Sequence, residues 1–96
     1  MDEETFTAQT LTAGCAEVCR VQYKPHHATT EHTHEFTAHG LILSGEFTLT
    51  TRDRARVMHQ GDAFSLTAGT PHFETVGPDG AELSAGRAYP TAAGEG

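Results

Sequence analysis

The apolar positions of this chain fall in short alternating bursts rather than in helical stripes. Phe47-Thr48-Leu49-Thr50 alternates apolar and polar residues, and Phe64-Ser65-Leu66 repeats the pattern. A period of two sends successive side chains to opposite faces of an extended strand, so each burst predicts a half-buried strand. Glu17-Val18-Cys19-Arg20-Val21-Gln22-Tyr23 reads as another strand, and Leu83 to Tyr89 as the last. No stretch carries an apolar period of 3.6 residues, so no helix is predicted.

Turn residues separate these bursts. Ser44-Gly45 precedes one strand, Arg52-Asp53-Arg54 turns a hairpin, and Gly61-Asp62 leads into the next strand. Ala68-Gly69-Thr70-Pro71 breaks the chain again. Gly77-Pro78-Asp79-Gly80 is the strongest turn signal, because Pro and Asp suit the central turn positions. Short strands at this spacing predict an all-β antiparallel sandwich or barrel.

Composition agrees. The chain holds fifteen threonines, ten glycines and four prolines, residues that favour strands and turns over helices. Its 96 residues form one domain over 1–96, with a core at about 15–90. Residues 91–96 have no apolar anchor and are expected to fray. A domain of this size buries only roughly two thirds of its unfolded surface. With 36% hydrophobic residues and no Trp, its thin core calls for a metal, a disulfide or a second chain.

Charge excludes some partners. Six Lys and Arg stand against 13 Asp and Glu, for a net charge of −7. Scattered cations in an acidic chain make no phosphate footprint, so nucleic acid is not an expected partner. The longest apolar run, Leu41-Ile42-Leu43, is far short of the ~20 residues of a membrane span. Met1-Asp2-Glu3-Glu4 lacks the hydrophobic stretch of a secretory signal, and a cytoplasmic location is expected. Cys15 and Cys19 make no disulfide framework. On one strand they would lie ~13 Å apart, too far to bridge, and they read as small core residues.

Seven histidines carry the candidate chemistry. His26, His27, His32, His34 and His39 crowd into fourteen positions, and His59 and His72 follow. In a strand, His32 and His34 share one face, about 6.5–7 Å apart along the chain, and can converge on one ion. Neutral imidazole is a common ligand for Fe, Ni, Mn and Zn. His72, delivered by the Gly69-Thr70-Pro71 turn, is the candidate third ligand. A His-x-His pair on its own is more often surface than site. His26, His27 and His59 read as exposed titrating groups.

The surrounding sequence resembles the cupin family. The first cupin motif, G-x5-H-x-H-x3,4-E-x6-G, matches His32-Thr33-His34 and Gly45, eleven residues beyond His34. The second, G-x5-P-x-G-x2-H-x3-N, matches Gly61, Gly69 and His72. The resemblance spans roughly residues 15 to 90. Four motif positions depart: His26 stands for the opening Gly, Thr67 for Pro, Val76 for Asn, and Ala38 for the Glu ligand.

The resemblance implies a jelly-roll β-barrel of six to eight antiparallel strands. It also implies one divalent transition metal ion near a mouth, and a homodimer. The ligands are His32, His34 and His72, with two versions open for the missing Glu. Either His39 replaces it, re-aimed by a bulge, or water and substrate fill the remaining positions. A small-molecule ligand is expected inside, with Phe36, Phe73 and Tyr23 as walls that could equally be core. The leading activity is a metal-dependent oxidoreductase of dioxygenase type. The alternatives are a non-catalytic sensor or binding module, a Zn-dependent lyase or isomerase, and a closed structural metal staple.

Overall fold

The structure is a computed structural model and describes residues 1–90. The expected frayed tail at 91–96 lies outside the described residues. Helix α1 (Glu3–Thr12) precedes five strands: β1 (Val18–Tyr23), β2 (Thr37–Thr51), β3 (Ala55–Met58), β4 (Ala63–Leu66) and β5 (His72–Ala88). All pairings are antiparallel, in the order β1-β5-β2-β3, with β4 also on β2.

The architecture is an all-β antiparallel jelly roll whose ladder does not close into a ring. Among the described residues it has five strands where six to eight are expected, because β2 and β5 are long and each runs through a corner. The first part of β2 lies between β4 and the end of β5, and its second part between β3 and the start of β5. Bursts that read as separate strands at 47–50 and 83–89 are therefore segments of these two.

The corner corrects two turn expectations. Ser44-Gly45 lies inside β2, and Gly77-Pro78-Asp79-Gly80 does not reverse the chain. Both flanks of the latter pair with the same strand. The partners jump from Gly45↔Ala81 to Phe47↔Val76, so residues 77–80 bulge opposite Glu46 alone. The turn chemistry is spent on a bulge that bends β5 while pairing resumes beyond it. Gly45 and Gly80 hold φ of 80° and 75° there. A Cβ on Gly45 would run into the Gly80 carbonyl, so the two backbones meet where side chains are excluded.

The helix is a second correction. Asp2 caps it, its Oδ1 accepting the Thr5 N–H at 2.8 Å. Glu3 and Glu4 in the first turn complement the helix dipole, and Glu3 also receives Arg20 of β1 at 2.7 Å. Only Phe6 and Thr10 are buried, one turn apart. One apolar residue and one threonine make too narrow a stripe to register as a period. No helix among the described residues is long and apolar enough to cross a membrane.

Ile42, Phe47, Leu49, Met58, Leu66, Val76, Ala81 and Leu83 form the core, with Tyr23, Ala38 and Phe64 packed partly against it. The two cysteines are not on one strand. Cys15 is buried ahead of β1, and Cys19 on β1 is exposed, so only Cys15 is a core residue.

Candidate metal centre

The site begins with a backbone pairing. The extended segment 24–36 runs beside the start of β5 and touches it through two bridges, Ala28↔Thr75 and His32↔His72. The His32 N–H donates to the His72 carbonyl at 2.9 Å, and the His72 N–H returns the bond at 3.0 Å. The two imidazoles are thus directly opposed, and His34 joins them from the same face two residues on.

Ring centroids lie 4.3 Å apart for His32–His72, 4.8 Å for His34–His72 and 4.9 Å for His32–His34. One ligand nitrogen from each falls within 4.8 Å of the others. The donor set fits a divalent transition metal for a specific reason. His32 Nδ1 lies 2.8 Å from the Thr30 carbonyl, and His72 Nδ1 lies 2.8 Å from the Thr70 carbonyl. A carbonyl can only accept, so each Nδ1 carries a proton, and in the neutral ring Nε2 keeps a lone pair free for a metal. Metal-binding histidines are commonly oriented in this way, by a carbonyl that holds the other ring nitrogen.

Electrostatics favour the same protonation state. Burial pushes the His34 pKa down, and His72, His32 and Arg87 push it further the same way. A depressed imidazole stays neutral and able to ligate. Its ring stacks on Phe36 at 4.5 Å and 15°. His72 is 2% exposed, which removes it from competition with bulk water.

The trio opens into a cavity of about 840 Å³. Of the expected wall residues, Phe36 and Tyr23 line it, together with Ala38, Phe47, Phe64 and Leu66. Phe73 does not line it, because β5 sends His72 and Glu74 to this face and Phe73 to the other. His39 stands outside the trio. It reaches the cavity wall, but its Nδ1 is engaged with Ser65 Oγ of β4 at 2.8 Å. The regular pairing of residues 38–41 with β4 leaves no bulge to re-aim it.

Three residues enter the site that the histidine pattern does not reveal. Glu74 shares the cavity face with His72 at strand spacing. His27, expected to be exposed, is half-buried, with its ring 5.0 Å from Tyr23 and its Nε2 3.8 Å from Glu74. Burial raises the Tyr23 pKa, and Glu74 raises it further while Arg87 opposes. Arg87 stands 4.6 Å over the Phe36 ring. The His72-x-Glu74 spacing is a readable signal once β5 is known. Arg87 leaves none. His26 is exposed, and His59 is exposed beside Glu46 at 3.2 Å, both as expected.

Comparison with known proteins agrees with this geometry. The Cupin domain family matches residues 19–88. No curated protein matches the sequence. Among solved structures, KdgF from Halomonas sp. is 22% identical with a TM-score of 0.63, over 77% of this chain and 69% of that one. A protein of unknown function from Rhizobium leguminosarum is 11% identical with a TM-score of 0.73, over 94% and 96%. The polyketide cyclase RemF from Streptomyces resistomycificus is 24% identical with a TM-score of 0.62, over 74% of this chain and about half (53%) of that one. These likenesses extend to the fold. With both histidine motifs in place on a bent antiparallel jelly roll, and the family matching most of its length, this chain belongs to the Cupin domain family.

Proposed function

We propose that this protein is a metal-dependent enzyme acting on a small organic molecule. The observation that carries the reading is the placement of His32, His34 and His72 on the wall of the 840 Å³ cavity, where three ligands leave coordination positions open. Histidine-bound Fe, Ni, Mn or Zn would supply dioxygen activation or Lewis-acid polarisation. The chain's own residues bind and exclude. Phe36, Phe47, Phe64 and Leu66 shape an apolar wall. Tyr23, held protonated by burial, is a proton donor, and Glu74 is a carboxylate on the same wall.

Oxidation of dioxygenase type is the first reading, since three neutral imidazoles leave room for two further ligands. Lyase or isomerase chemistry with zinc is the second. The Tyr23–Glu74 pair favours it by supplying groups that move protons, and the likeness to a polyketide cyclase supports it. Elemental analysis of the purified protein tests the metal centre. About one equivalent of transition metal is expected in wild type and none in His34→Ala, and equal content in both refutes the site. Oxygen uptake by the iron-loaded protein with candidate substrates separates the two reactions. The proposal includes a homodimer, which sedimentation equilibrium checks; a single species at monomer mass removes it.

A further inference from the structure

The strongest unassigned group along the cavity wall is an exposed cation. Arg87 on β5 lies directly across the ladder from Ala38 on β2, and both line the cavity. Directly opposed residues carry their side chains on one face, with Cβ atoms about 4.5–5.5 Å apart. Ala38 is the position at which the first histidine motif otherwise has its glutamate. A carboxylate there would stand beside the Arg87 guanidinium as a cross-strand ion pair. In this chain the position holds Ala38, and Arg87 faces it. Among the described residues no carboxylate comes within ion-pair distance of Arg87. The cavity's own acids are Glu17 and Glu74, and Glu74 faces His27 instead.

Arg87 is also positioned. Its guanidinium lies 4.6 Å over Phe36, which also stacks on the near-parallel ring of His34 at 4.5 Å and meets Tyr89 at 5.3 Å. Arg87 and the His34 imidazole thus both pack on Phe36 at the cavity wall. Stacking on a face leaves the edge of the guanidinium, with its paired N–H donors, free for a planar anion. The small side chain of Ala38 leaves space beside it.

We infer that Arg87 and Ala38 form a carboxylate-binding subsite, so that the natural ligand is a small acid with an apolar or aromatic body. Its carboxylate occupies the place of the missing glutamate, donated to by Arg87, and its body lies along Phe36, Phe47 and Phe64. The absence of the motif glutamate is then part of substrate recognition and not a damaged site. This rests on the reading of the histidine trio as a metal centre, but its test is separable from that reading.

Zinc titration of wild type checks the metal centre alone. Benzoate and its neutral isostere benzamide are then titrated calorimetrically into zinc-loaded and metal-free protein. Saturable benzoate binding is expected in both, with benzamide weaker by about tenfold or more, as befits a charge-assisted bidentate pair. Arg87→Met weakens benzoate by about tenfold or more and leaves benzamide and zinc unchanged, while Arg87→Lys recovers part of the loss. Ala38→Glu fills the place with the protein's own carboxylate, abolishes benzoate binding and tightens zinc. Equal benzoate affinity in wild type and Arg87→Met overturns the subsite. So does retention of benzoate by Ala38→Glu, or no saturable benzoate binding by wild type. If Arg87→Met does not fold, the other two variants decide. Failure of wild type to take up zinc, with Arg87-dependent benzoate binding intact, overturns the metal reading and leaves the subsite standing.

Discussion

At the scale of single residues, backbone conformation outlasts the residue that usually satisfies it. The opening glycine of the first histidine motif is His26 here, and His26 holds a φ of 61°. The fold still asks for a left-handed residue at that point. Histidine is among the side chains that tolerate it, and its N–H donates to the Gly77 carbonyl at 3.1 Å. Left-handed backbone costs an L-residue roughly 1–2 kcal/mol, partly offset by the ~0.5–1 kcal/mol entropy penalty of glycine. His26→Gly is therefore expected to be neutral or stabilising by up to about 1 kcal/mol, and His26→Val to be destabilising by more than about 1 kcal/mol. Urea denaturation of the two variants checks the ordering. If Val is tolerated as well as Gly, the conformation at 26 is not constrained.

At the scale of elements, β2 and β5 do most of the work, and their shared corner is the vulnerable point. Gly45→Ala places a side chain against the Gly80 carbonyl in a conformation that itself costs roughly 1–3 kcal/mol. We expect a loss of at least about 2 kcal/mol, with a fall in the denaturant midpoint and little change in slope. A midpoint within error of wild type would show that the corner relaxes freely. The same elements explain what could be read from the sequence. The alternation in 47–50 and 64–66 is legible because one face meets the core and the other does not. The His-x-His pair and His72 are legible because spacing of two keeps ligands on a common face. Gly77–Gly80 announces tight geometry, but pairing beyond it decides whether the chain reverses or bends, and that is a tertiary fact. Helix α1 is hidden because a single Phe6 and a capped first turn suffice where the sheet supplies the rest. Glu74, His27 and Arg87 are hidden because what they face depends on how β5 lies against its neighbours.

At the scale of the whole molecule, acid and metal act on one equilibrium. His34 has its pKa lowered by burial first, then by its histidine neighbours. Below its ordinary value, about 6.5, the unfolded chain takes up a proton that the folded chain resists. The unfolded state then binds more protons, so stability falls as pH drops through that window towards the folded value. A metal on the same nitrogens stabilises the fold at neutral pH and must leave as they protonate. The acid unfolding midpoint followed by circular dichroism is therefore expected at lower pH with zinc than with chelator, and coincident midpoints count against the site. The bridge between His32 and His72 adds a mechanical consequence. Residues 24–36 are tied to β5 by backbone bonds at His26, His27, Thr29 and His32, and they carry two of the three histidines and Phe36. An ion shared across that bridge would cross-link two segments that the backbone already pairs, so loading the centre also stiffens the cavity wall that carries Phe36.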